Sequence, residues 1–383
     1  MIKKILLVFI VWRLFLFLPL VASHFLLPDR KGYEYTLLTY FTPTENPIKH
    51  PLLAPWGNFD GVYYLLIAAK GYTINAGFFP LWPLMIKIVT LPFGNLFPFD
   101  PIQYINALIA ASSLFLAALL VLYQLVRLDF SKDIALGTII ALLVFPTSFF
   151  YASIYTESLF LLLMALSFYF ARRQWWIPAG IAGALLSATR LVGIAILPAL
   201  LYEYVSSYSA QNNRKKLTGA ALLLIPLGLV SYVWYNAYRF GDPLFFIKAQ
   251  GAFKNNRSVN AIIFPLQTVF RYFKILVTVS PHIYEWWVAL FEFACVLATA
   301  MLLYVGWKKG IRKSYLLFAL LAILLPASSG TFSGIPRYVV VLFPLFLSLA
   351  ILPNRRLQKI YVIAGTILLF LFFMLFSKGY FIA

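Results

Sequence analysis

Ile102–Leu125, IQYINALIAASSLFLAALLVLYQL, runs for more than twenty residues without a charge. A helix needs about 20 predominantly apolar residues to cross the hydrocarbon core of a bilayer, so this stretch reads as a membrane span. The same reading extends in both directions. Upstream lies Ile5–Leu27, with Arg13 inside it. Downstream come Ile134–Pro146, Ser158–Ala171, Pro178–Ala188, Val192–Tyr204, Leu217–Tyr238, Glu285–Val305, Tyr315–Ala327, Tyr338–Leu352 and Ile360–Phe376. The expectation is an all-α polytopic membrane protein with about eleven crossings. The apolar run that follows Phe79-Pro80-Leu81-Trp82-Pro83 and ends near Pro92 is too short to cross, and reads as interfacial or re-entrant.

Composition supports this class and excludes others. Of 383 residues, 62% are hydrophobic and 11% charged, with a mean hydropathy of +0.87; a soluble globular domain is about a quarter charged. Aromatic residues make up 18%, as suits rings anchored at both membrane interfaces. The net charge of +19 does not imply nucleic acid, because there is no accessible polar domain to present a basic face. These cations read instead as loop residues that set topology and meet lipid head groups. Cys295 is the single cysteine, so no intrachain disulfide is possible. Met1-Ile2-Lys3-Lys4 and the apolar run behind it read as an uncleaved first span.

Basic residues set the expected orientation. A cytoplasmic N-terminus places Arg127 with Lys132, Arg172 with Arg173, and Arg214-Lys215-Lys216 on the inner side. Lys308, Lys309, Arg312 and Lys313 fall there too, as do Arg355, Arg356 and Lys359. A shift by one span would put every cluster outside. No internal repeat or linker divides the chain, which reads as one domain over 1–383, with a first outer loop at 28–101 and a second at 239–283.

Five ionisable residues gather on the expected outer side: Asp60, Glu157, Arg190, Asp242 and Arg337. Charges at or near membrane depth are costly and mark sites of chemistry or transport. Each also has a plain structural reading. Asp60 starts an amphipathic helix running from Gly61, and serves as either a cap or a reactive carboxylate held ionised by the helix dipole. Glu157, between Thr156 and Ser158, caps a span or orients a substrate. Arg190 sits in a tight turn between two apolar helices; it snorkels to the interface or meets an anion, to which its planar fork is suited. Asp242, in Gly241-Asp242-Pro243, reads first as a turn starter. Arg337 follows Pro336 at a helix start, where its charge opposes the dipole and asks for an anionic partner. Should Arg190 and Arg337 prove to be topological anchors, Lys248, Lys254 and Arg257 of the second outer loop are the next candidates to meet the anion. His24, His50 and His282 are scattered and make no zinc pattern.

Several of these residues sit in longer motifs. Trp56-Gly57-Asn58-Phe59-Asp60-Gly61-Val62-Tyr63-Tyr64, then Lys70-Gly71-Tyr72 and Ala76-Gly77-Phe78-Phe79-Pro80-Leu81-Trp82-Pro83-Leu84, resemble the PIG-V family of mannosyltransferases and its prokaryotic relatives. Trp82 stands where the family usually has Tyr. Phe145-Pro146-Thr147-Ser148-Phe149-Phe150, Tyr155-Thr156-Glu157-Ser158-Leu159-Phe160, Ala188-Thr189-Arg190, Gly241-Asp242-Pro243 and Pro336-Arg337-Tyr338 carry the resemblance along most of the chain.

The resemblance implies a GT-C fold and an inverting transfer of a sugar, usually mannose, from a polyprenyl phosphate at the non-cytoplasmic face. The acceptor would be a glycolipid, glycan or protein, and the expected location is a prokaryotic cell membrane. The family's essential acid in the first outer loop maps onto Asp60, expected to be the general base. Arg190 and Arg337 are expected to hold the donor phosphate, with Glu157, Trp56 and Asp242 orienting the acceptor or the site. Guanidinium groups would take the place of a cation, so no cofactor or metal is expected; a divalent ion at Asp60 and Glu157 is the alternative. The competing readings are a flippase or transporter of lipid-linked sugars and an envelope assembly protein.

Overall fold

The computed structural model describes residues 2–33, 47–73, 75–94, 96–208, 217–253, 257–259 and 261–382. The basic cluster Arg214-Lys215-Lys216, Lys254 and part of the first outer loop lie outside the described residues. Within them all regular structure is helical. The chain divides into two compact units, Met1–Leu162 with Pro353–Ile382, and Leu163–Leu352.

The first unit begins with α1 (Ile2–Phe15) and α2 (Phe17–Leu26). Pro19 cannot donate to the Phe15 carbonyl and its ring crowds that oxygen, which accounts for the break at Leu16 in a single apolar run. Then come α3 (Asp60–Lys70), α4 (Leu81–Thr90) and α5 (Pro101–Arg127). Asp100 caps α5 by accepting from Ile102 N at 2.7 Å, and Pro101 occupies the first helical position. Next are α6 (Lys132–Leu143), capped by Ser131, and α7 (Glu157–Arg172), which continues from the first unit into the second.

The second unit holds α8 (Trp176–Ser187), α9 (Ile196–Ser207), α10 (Leu227–Phe240), α11 (Phe245–Lys248), α12 (Pro265–Thr278), α13 (Tyr284–Lys308), α14 (Lys313–Ala327), α15 (Ile335–Val340) and α16 (Phe343–Ile351). The chain then returns to the first unit as α17 (Arg355–Ser377), capped by Asn354.

Among the described residues five helical segments are long and apolar enough to cross a membrane: 2–26, 101–127, 219–240, 284–308 and 355–377. The others expected as crossings are shorter helices; α6, α8 and α9 have 12 residues each and α14 has 15. One expectation needs correction. Tyr338–Leu352 is not one helix but α15 and α16, because Pro344 removes the bond to the Val340 carbonyl and clashes with it. The second outer loop has regular structure of its own. It contains α12, whose Leu266, Phe270, Phe273 and Val277 face outward and are exposed while Thr268 and Tyr272 are buried.

Aromatic stacking fills the core of the first unit. Phe115 of α5 stacks on Tyr151 at 4.2 Å and meets Trp12 at 5.1 Å. Phe373 of α17 lies 4.7 Å from Trp56 and 4.8 Å from Phe149. In the second unit Phe168, Tyr315 and Phe343 form a buried trio. There α8 packs on the segment 219–228 through small residues: a Cβ on Gly180 would come 2.1 Å from the Ala221 carbonyl oxygen. Close backbone approach of this kind is how helices associate where lipid offers no hydrophobic drive.

Candidate functional site

The proton chemistry expected of Asp60 depends on a loop of the first unit that is fixed from all sides. A short 3-10 turn, Ala54–Gly57, precedes it. Tyr104 Oη donates to the Leu53 and Ala54 carbonyls at 2.8 and 3.1 Å. A side chain on Gly57 would lie 2.7 Å from the Tyr104 ring, so only glycine fits. Ile154 N donates to the Trp56 carbonyl at 2.8 Å, and Tyr155 Oη to the Asn58 carbonyl at 2.6 Å. Asn58, fully buried, donates through Nδ2 to Tyr33 Oη at 2.7 Å and to the Phe376 carbonyl at 3.1 Å. Strands of chain far apart in sequence thus converge on Asn58.

Asn58–Gly61 then turns back on itself, with Gly61 N donating to the Asn58 carbonyl at 3.3 Å. Phe59 stands at its second position with φ 54° and ψ −111°. These are the angles of a type II′ turn, where glycine is the usual residue. The ring of Phe59 is held against Phe376 and Phe381, at 5.3 and 5.8 Å. Asp60 follows as the first residue of α3, so the helix N-terminus favours its negative charge. One turn on, burial and then the Asp60 charge raise the Tyr63 phenol above its ordinary value, which keeps it protonated.

Glu157 opens α7 fully buried, beside Ser158, whose Oγ donates to the Tyr151 carbonyl at 2.6 Å. Trp56 is also buried. Its indole N–H goes to the Leu52 carbonyl at 2.9 Å and its ring lies under the Arg13 guanidinium at 4.2 Å. It supports the loop from beneath. Arg13, marked in the sequence as a lone mid-span cation, finds a cation–π partner there.

The second unit carries the arginines. α8 ends at Ser187, whose Oγ donates to the Ile225 carbonyl at 2.6 Å. The chain reverses within three residues, and Gly193 N closes on the Arg190 carbonyl at 2.9 Å. A Cβ on Gly193 would come 2.3 Å from the Leu186 carbonyl oxygen. Arg190 leaves this turn and lies over the Tyr338 ring at 4.5 Å. Arg337 is the neighbouring residue in α15.

Residues 328–334 present Arg337, and the second outer loop straps them down. Ser258 N and Ile263 N donate to the Ser329 and Ser328 carbonyls at 2.7 and 2.9 Å. Arg271 Nη1 donates to the Gly330 carbonyl and Arg257 Nη2 to the Ser333 carbonyl, at 3.1 and 3.0 Å. Tyr272 Oη accepts from Phe332 N at 3.0 Å and donates to Glu292 Oε2 at 2.6 Å. Glu292 Oε1 in turn accepts from Gly334 N at 3.2 Å, where Gly334 has φ +80°. Glu292, which lies inside the expected span Glu285–Val305, therefore anchors the turn that begins α15.

Asp242 has a local role. Its Oδ1 accepts from Leu244 N at 3.0 Å and its Oδ2 pairs with Lys248 at 2.6 Å, which lowers its carboxyl below the ordinary value. It shapes the turn after α10, the first of its two sequence readings. Among the described residues no three His, Cys, Asp or Glu side chains gather as a metal site.

Sequence reasoning gave no role to Asn58, Tyr33 and Tyr155, which fix the Asp60 loop, and ranked Arg257 behind Arg190 and Arg337 as a candidate to meet the anion. Asn58 and Tyr155 stood inside quoted motifs; their partners lie too far along the chain to be read from spacing.

A helical, multispan membrane protein with a carboxylate loop and a set of strapped arginines is the class that fold and site define. The chain matches the family Mannosyltransferase (PIG-V) over residues 2–240, well over half its length, and belongs to that family. Its class of activity is glycosyl transfer. Comparison with curated proteins and with solved structures returned no match.

Proposed function

We propose that the chain transfers mannose from a polyprenyl-phosphate donor to a lipid-linked, glycan or protein acceptor at the non-cytoplasmic face, with inversion at the anomeric carbon. The observation that carries this reading is the Arg190–Tyr338 contact beside Arg337. It lies in a chain whose family is mannosyltransferase, and a lipid phosphate is the donor chemistry that arginines recognise best.

Asp60 takes the proton from the acceptor hydroxyl as its oxygen bonds to the anomeric carbon. The bond from that carbon to the phosphate oxygen breaks, and the electron pair stays on the phosphate. Phosphate is a good leaving group, so charge stabilisation by Arg190 and Arg337 outweighs protonation. Tyr63 and Glu157 steady the acceptor side. No metal is part of this reading, since guanidinium groups carry the positive charge.

The test is transfer of labelled mannose from polyprenyl-phosphate mannose by the purified chain. Asp60→Asn is expected to keep donor binding and lose about 10²-fold or more in turnover, as removal of a general base does. Arg190→Lys and Arg337→Lys are expected to weaken donor binding, because lysine lacks the bidentate fork. A wild-type chain that binds the donor and moves it between leaflets without forming product would replace this reading with the flippase.

A further inference from the structure

Arg257 belongs to the second outer loop, outside the segment matched by the family, yet it reaches the same place as Arg190 and Arg337. Its Nη2 donates to the Ser333 carbonyl at 3.0 Å, four residues before Arg337, and its Nη1 to Gln250 Oε1 at 3.1 Å. A guanidinium has five N–H donors, and these contacts use two. Arg190 lies over the ring of Tyr338, the residue after Arg337, so all three guanidinium groups attach at the start of α15. Three cations at one helix start are more than the proposed donor requires. A sugar phosphodiester carries a single negative charge. Once the sugar has left, a lipid phosphate monoester carries about −1.5 to −2 near neutral pH.

We propose that Arg257 is the third anion-binding group of the Arg190–Arg337 cluster, and that it takes up the charge that develops on the leaving phosphate. This rests on the donor reading above. The step balances. The acceptor oxygen bonds to the anomeric carbon and its proton goes to Asp60; the carbon–oxygen bond to phosphate breaks with its electron pair, turning a monoanionic diester into a dianionic monoester. Two negative charges enter, on Asp60 and the diester, and two leave on the monoester. A cation placed for the second of these charges binds the transition state and product more strongly than the donor, so it acts on turnover rather than on donor affinity. The tether to Ser333 fits that task. It ties Arg257 to the turn that presents Arg337, while Glu292 and Tyr272 hold that turn from the other side.

The experiment measures binding of two probes, polyprenyl monophosphate and polyprenyl-phosphate mannose, to the full-length chain in detergent, alongside turnover. Arg257→Gln is expected to weaken monophosphate binding by about tenfold or more, to change donor binding by less than about threefold, and to lower turnover on the order of 10²-fold, the loss typical of one donor aimed at developing charge. Equal weakening of both probes would mean that Arg257 only straps the turn, and would overturn the inference. A wild-type chain that binds neither probe would overturn the donor reading itself, and the inference with it. Should Arg257→Gln fail to fold, Arg257→Lys decides. It keeps the charge without the fork, and is expected to show a smaller loss confined to the monophosphate; a matched loss for both probes would again reject the proposal.

Discussion

At Phe59 the backbone takes angles that a II′ turn gives to glycine, and a phenylalanine is held there. Strain of this kind costs on the order of 1–3 kcal/mol and persists only when its surroundings enforce it. The contacts with Phe376 and Phe381 do so. Glycine would relieve the strain and lose the ring contacts, so Phe59→Gly is expected to change the unfolding midpoint little. Asp60, the next residue, would lose its fixed start, and misplacement by about 1 Å can cost ~10²-fold in rate. Turnover falling far more than stability is the expected pattern. A variant that loses both in proportion would show that the turn serves the fold alone. The sequence points to Asp60 as the residue of interest, by its place before an amphipathic run. It does not reveal the strain or its cause, because Phe376 and Phe381 lie more than three hundred residues away.

Helices tell a similar story of local legibility. Long uncharged runs are readable, as in α5 and α17, because crossing length and apolar content are properties of one segment. The Pro344 break between α15 and α16 was available in the sequence and was overridden by apolar content. α12 was passed over for the opposite reason: Arg271 and Lys274 lower its hydropathy, although Leu266, Phe270, Phe273 and Val277 repeat at helical spacing. What no single helix discloses is pairing among charges. Glu203 of α9 accepts from Arg172 Nε at 3.3 Å, from Arg312 Nη1 at 3.2 Å and from Ser314 Oγ at 2.7 Å. It joins the ends of α7, α9 and α14 within the second unit. Removing the carboxylate leaves the largely buried Arg172 beside the half-exposed Arg312 without their shared partner, so Glu203→Ala is expected to destabilise the chain by about 3 kcal/mol, at the lower end of what loss of one partner of a buried pair costs. Ser314→Ala, which removes one hydrogen bond, is expected to cost about 1 kcal/mol. Thermal unfolding in mild detergent measures both, and an unchanged midpoint for Glu203→Ala would show the charges to be independent.

Over the whole molecule, the first unit is assembled from both ends of the sequence and the second from its middle. The Asp60 loop therefore depends on α17, since Asn58 Nδ2 donates to the Phe376 carbonyl and Tyr33 Oη to the Ser377 carbonyl at 2.7 Å. This has a consequence in time. A ribosome adding about 5–20 residues per second needs on the order of 10–40 s to pass through residues 163–352. For that interval α1 to α6 wait with α17 unmade, while the second unit has all its helices beforehand. The nascent first unit is then exposed to quality control by membrane proteases, and its carboxylate loop is completed only once α17 has been made. A chain ended before Pro353 is expected to insert and to be degraded quickly, and α17 supplied as a separate peptide in the same cell is expected to lengthen its lifetime in a pulse-chase measurement. Should the shortened chain persist as long as the whole one, the late helix is not what completes the unit.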